Sequence, residues 1–205
     1  MSAQFSALTA VAAPLDAVNV DTDQIIPARF LKFPREEGYG RFLFHDLRVD
    51  PGFILNRAPF DRARILVADA NFGCGSSREG AAYALHDAGF RAVIAPSFGD
   101  IFAANCLKNG IVPARLGAEI CAGLRRRLRD HPGTELTVDL VSQQVRAPGG
   151  AAHAFAVDPF HRHLLLEGID ELGLTLANLP AIEAFERRWG AGLGPDSGSP
   201  RRRPG

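Results

Sequence analysis

An α/β fold, with parallel strand–helix units in its middle and helices at its C-terminal end, is predicted by three observations. Residues 64–131 alternate short β-branched apolar runs with longer amphipathic stretches, the pattern of strands joined by covering helices. Glycine, serine and asparagine stand at the junctions, where such turns need them. Residues 134–147 then change to the two-residue alternation of a hairpin.

From the start, residues 1–16 (MSAQFSALTAVAAPLD) carry a mild apolar run suited to a strand. They lack the basic start and cleavage pattern of a secretory signal. Asp21, Thr22 and Asp23 follow; their short oxygen-bearing side chains bond nearby backbone N–H groups and predict a turn or cap. Residues 32–40 (KFPREEGYG) read as an exposed loop in which Lys32 and Arg35 are by default solvated charges. Residues 42–47 fit a short helix and 51–58 a connector. Residues 64–69 (RILVAD) predict a buried strand, and 76 to about 88 a helix.

Residues 91–96 (RAVIAP) make the next strand, 97–109 a helix capped by Ser97 and stopped at Asn109-Gly110, and 111–114 a third strand. Residues 117–130 form a basic amphipathic helix. Strands are expected at 134–140, 143–147 and 152–157, with helices from Asp158-Pro159 to 167 and over 180–189. Residues 1–189 thus form one domain. The Gly, Pro, Ser and Arg of 190–205 predict a disordered tail whose arginines are solvated.

Composition narrows the function. The chain has 205 residues, 46% apolar and 22% charged, ordinary for a globular protein. Lys and Arg total 23, as do Asp and Glu, so there is no basic footprint for nucleic acid. No stretch approaches the roughly 20 apolar residues that span a bilayer. Cys74, Cys106 and Cys121 have no metal-ligand spacing with each other or with histidine, so no metal site is expected from this chain alone, and an odd, sparse set of thiols suits a reducing cytoplasm.

Chemistry concentrates in Asn71-Phe72-Gly73-Cys74-Gly75-Ser76-Ser77-Arg78-Glu79. Two glycines let the backbone approach a ligand, and Ser76 with Glu79 has the spacing of a capping box. A helix start presents unpaired N–H groups to an anion, and Arg78 adds a planar cation suited to a carboxylate. By spacing alone, the bland alternative is a structural cap. A phosphate loop (G-x-x-x-x-G-K-S/T) is excluded, since no lysine stands between Lys32 and Lys108, and Arg78 occupies the third glycine of a dinucleotide fingerprint. A carboxylate fits better than a nucleotide.

Four blocks in order, DTDQIIPARFL, NFGCGSSRE, APSFGDIFAANCLKNGIVP and HRHLLLEGIDELGLTLANLPAIEAFE, resemble the small subunits of 3-isopropylmalate dehydratase, in the aconitase superfamily. The likeness runs from about residue 16 to 189. It implies a swivelling β/β/α domain and half an active site, completed by a large subunit that holds a [4Fe-4S] cluster. The reaction implied is dehydration and rehydration of a small hydroxy diacid in leucine biosynthesis. Ser76 matches the family's base. Ser77 and Arg78 match substrate-carboxylate ligands, and Arg35 a further substrate-binding arginine. Thr22, Asp23 and Gly75 support the site, and Lys32 and Phe33 lie in the specificity loop. One position departs: the family commonly reads SREHA, and here Gly80 replaces the histidine. A related hydro-lyase subunit (methylmalate, dimethylmalate or homoaconitate type) and a non-catalytic diacid-binding module remain the alternatives.

Overall fold

The computed structural model describes residues 4–192. Strand β1 (Ala7–Pro14) divides its sheet into two kinds of ladder. Its last three residues pair in parallel with β2 (Ile65–Val67), which is followed outward by β3 (Ala92–Ala95) and β4 (Val112–Arg115). Its first five pair antiparallel with β5 (Glu135–Asp139), followed by β6 (Gln144–Arg146) and β7 (Ala152–Ala154). The order is β4-β3-β2-β1-β5-β6-β7.

Helices α1 (Thr22–Ile25), α2 (Gly80–Asp87), α3 (Asp100–Lys108) and α4 (Ala118–Asp130) supply the connections of the parallel half. Alternate residues of each parallel strand enter opposite cores, because successive side chains point to opposite faces. Leu66 and Val93 lie with Phe44, Phe72, Leu85 and Phe102 on the side of α2 and α3. Ile65, Val67 and Ile94 lie with Leu124, Leu128 and Leu136 on the side of α4 and the hairpin. Both faces are therefore dry, which is why these strands read as unbroken apolar runs. Helices α5 (Pro159–Glu167), α6 (Glu171–Ala177) and α7 (Leu179–Gly192) close the described chain.

The structure corrects several local expectations. Helix α2 starts at Gly80, not at Ser76, and Glu79 makes no side-chain cap bond. Ser76 is bonded to Thr22, and the Glu79 carboxylate accepts from Asn109 Nδ2 at 2.9 Å, so neither is left for a capping box. Ser97 likewise does not cap α3, whose preceding residue is Gly99; its hydroxyl accepts from the Asn71 N–H at 2.8 Å. Residues 42–47 form no α-helix. Phe42, Leu43 and Phe44 are all buried, which one helix face cannot achieve, and Phe44 turns the chain with φ 53°. Helix α6, capped by Asp170, was not expected. The helix over 180–189 is longer at its end than foreseen, and the expected tail beyond residue 192 lies outside the described residues.

Candidate active site

The site forms where the chain leaves the C-terminal ends of β2 and β3. Phe72 and Phe98 make a parallel bridge just beyond those strands, through Phe72 N–H to Ser97 O (3.1 Å) and Gly99 N–H to Phe72 O (3.0 Å). On the other flank Gly73 N–H donates to Val20 O (2.7 Å) and Thr22 N–H to Cys74 O (3.0 Å), stitching the DTD segment alongside the motif. Gly73 and Gly75 have φ of +73° and +93°, where L side chains are strained. A Cβ on Gly73 would also sit 2.2 Å from the Phe102 ring.

These turns bring Thr22, Asp23, Ser76 and Arg78 together. Thr22 is 1% exposed, and its hydroxyl shares a 3.0 Å hydrogen bond with the exposed Ser76 hydroxyl. Asp21 accepts from Gln24 N–H at 2.7 Å, which fixes α1 and the direction of Thr22. Asp23 accepts from Ala28 N–H (3.2 Å) and pairs with the Arg78 guanidinium. That bond holds the Asp23 carboxyl below its ordinary value and raises Arg78 above its own. Ser77 is exposed beside them. A cleft of about 240 Å³ runs past Gly75 and Ser76 to Asp100 and Ile101 at the start of α3.

The expected specificity loop is docked along α2 and is less exposed than its composition predicts. Arg35 gives both guanidinium nitrogens to Asp87, at 2.6 and 2.9 Å, and lies 4.3 Å from the Tyr83 ring centroid. Tyr39, 7% exposed, donates its N–H to Asp87 (2.7 Å) and its hydroxyl to Phe33 O (3.0 Å). Phe33 stacks on Phe42, and Lys32 points outward with its ammonium 5.9 Å from the Phe33 ring. Arg35, expected at the substrate, is thus engaged by Asp87. Sequence reading missed Asp87, Tyr39 and Phe102. The repeated Phe-Gly at 72–73 and 98–99 was a usable signal for the bridged loops; nothing of that kind marked Asp87.

The described residues contain no group of three His, Cys, Asp or Glu placed to hold a metal. Cys106 is buried in the core beneath α3, where desolvation pushes its thiol far up. Cys121 lies in the opposite core, and desolvation raises its thiol to about 11. Cys74 alone is partly exposed. These thiols do not fit a shared iron–sulfur cluster.

A parallel α/β half joined to an antiparallel hairpin, with glycine-bearing loops at the strand ends, has known counterparts. Residues 2–119 match the aconitase C-terminal domain family and residues 122–159 match LeuD_N. The 3-isopropylmalate dehydratase small subunit of Gluconacetobacter diazotrophicus is 52% identical over 189 residues, covering 89% of this chain and 91% of that one. Its counterpart in Magnetococcus marinus is 47% identical over 199 residues, covering 90% and 93%. In fold, the chain is similar to the crystal structure of a 3-isopropylmalate dehydratase from Methanocaldococcus jannaschii. The TM-score is 0.64 at 23% identity, over 88% of this chain and 99% of that one. The chain therefore belongs to the aconitase C-terminal domain family and, within it, to the 3-isopropylmalate dehydratase small subunits.

Proposed function

We propose that this chain is the small subunit of a cytoplasmic 3-isopropylmalate dehydratase, a hydro-lyase of leucine biosynthesis. It converts 2-isopropylmalate to 3-isopropylmalate by dehydration and rehydration once joined to a large subunit. The [4Fe-4S] cluster belongs to that large subunit, since the thiols of this chain do not suit it. No described helix is long and apolar enough to cross a membrane.

The observation that carries this reading is the Thr22–Ser76 hydrogen bond beside Arg78. A carbon-bound proton next to a carboxylate must move, and Ser76 is the group assigned to move it. A serine oxygen accepts that proton only if its own negative charge is stabilised. The buried Thr22 hydroxyl can donate to it, and Arg78 supplies positive charge. With α2 starting at Gly80, this local pair replaces the helix start in that role. Ser77 and Arg78 hold the substrate carboxylate; Asp23 keeps Arg78 aimed until the substrate arrives. Gly75 lets the backbone turn over Thr22, and Lys32 and Phe33, in the loop along α2, are assigned to substrate selection. Arg35 steadies the loop through Asp87.

Gly80 favours a second reading, a hydro-lyase for a neighbouring substrate such as methylmalate, dimethylmalate or homoaconitate. A substrate panel on the co-expressed subunit pair separates the two. Preference for 2-isopropylmalate supports the first, preference for another diacid the second, and diacid binding without turnover by any pair points to a binding module.

A further inference from the structure

Gly80 opens α2 two residues after Arg78 and is buried. A Cβ there would lie 2.5 Å from Leu31 Cδ2, with Leu31 Cγ and Tyr39 Cε2 each at 3.8 Å. Leu31 fills the space that a side chain at position 80 would take. It ends the turn that begins at Ala28, whose N–H is held by Asp23, the same carboxylate that Arg78 holds. Beyond it, Tyr39 donates its hydroxyl to Phe33 O, and Arg35 is bound to Asp87. Residues 28–35 are therefore laid along α2 from its first residue to its last, and the first anchor leaves no room for a large side chain at position 80.

We infer that Gly80 is a positioning residue for substrate selection. By admitting Leu31 against the first turn of α2, it sets how far residues 31–33 stand from Ser76 and Arg78. That distance fixes the room for the alkyl substituent of the diacid. The inference rests on the hydro-lyase function proposed above. Phe33, two residues past Leu31, is a partly buried apolar side chain. It is suited to face an alkyl group whose carboxylate lies at Ser77 and Arg78. An alanine at 80 meets only the flexible end of Leu31, which can rotate away. A histidine also meets Tyr39 and lifts residues 31–33 off the helix.

The test uses Gly80→Ala, Gly80→His, and Gly80→His combined with Leu31→Ala, each in the full chain. Each is assembled with the large subunit and assayed on 2-isopropylmalate and methylmalate. Each free chain is also digested briefly with trypsin, which cuts after Lys32. Gly80→Ala should leave both readouts near wild type. Gly80→His should change the kcat/KM ratio between the two malates by about tenfold, the scale of a single methylene, mostly through KM. It should also speed cleavage after Lys32. Adding Leu31→Ala makes room for the ring and should return both readouts toward wild type. An unchanged ratio and cleavage in Gly80→His overturns the inference, as does a changed ratio that persists with Leu31→Ala. Inactivity of the wild-type pair on both malates and on the rest of the substrate panel instead removes the hydro-lyase function, and the cleavage pattern still decides whether the space at Gly80 holds Leu31.

Discussion

Two arginine–aspartate pairs stand at opposite ends of α2, in different surroundings. At its start, Arg78 and Asp23 keep 30% and 52% of their side-chain surface exposed. At its end, Arg35 is 40% exposed but Asp87 only 15%, and that carboxylate takes both Arg35 nitrogens and the Tyr39 N–H, so the contrast lies in the two carboxylates. Burial alone would raise the Asp87 carboxyl; the Tyr39 N–H and the Arg35 guanidinium outweigh it and keep it below the ordinary value. Asp23 is lowered chiefly by its bond to Arg78. A water-exposed pair opens at little cost, whereas a partly buried one leaves an uncompensated charge when it breaks. One contact chemistry thus gives a latch at the end where Arg78 is proposed to exchange Asp23 for a substrate carboxylate, and a fixed strut at the end that holds the loop.

Changes at the latch end should appear in catalysis, and changes at the strut end in folding. The largest effect belongs to Ser76→Ala, which should lower turnover of the assembled enzyme by about 10²–10⁴ while leaving its urea midpoint unchanged. Steady-state kinetics beside a denaturation curve checks both. Arg78→Lys keeps the charge and loses the fork, so kcat/KM should fall about 10- to 100-fold, the equivalent of one charge-assisted hydrogen bond. An unaltered KM would remove Arg78 from carboxylate binding.

Stability should order the two carboxylates. Asp87→Ala should cost about 2–3 kcal/mol in urea unfolding, because Arg35 and the Tyr39 N–H both lose their acceptor. Asp23→Ala should cost less than about 1 kcal/mol. The reverse order would undo the distinction between latch and strut.

The smallest effect is on pH dependence. Both carboxyls are lowered in the folded chain, so the stability they contribute is fully present above the unfolded value, near pH 4. It is lost as pH falls through the lowered values. Hydrogen-exchange protection of residues 28–40 should therefore stay level from neutral pH to about 5 and drop only below about 4. Loosening near neutrality would implicate a histidine instead.

Local pattern sufficed for the parallel half, because strands buried on both faces leave apolar runs and their helices leave a periodic stripe. It misplaced the start of α2 for a physical reason. Ser76 and Glu79 have the spacing of partners, yet Thr22 and Asn109, 54 and 30 residues away, hold them. Arg35 and Asp87 are 52 residues apart and left no spacing to read. Thr22, Asp23 and Arg35 were reached through family resemblance and not from their own surroundings. Gly80 was visible as a departure, but Leu31, which occupies the space it leaves, could be seen only in three dimensions.

The most direct measurement is a structure of the assembled large and small subunits with an unreactive 2-isopropylmalate analogue bound. Ser76 Oγ should lie about 3 Å from the carbon that gives up its proton. Arg78 should have left Asp23 for a ligand carboxylate, with Arg35 still on Asp87. A Ser76 hydroxyl turned away from that carbon, with Arg78 still closed on Asp23, contradicts the assignment.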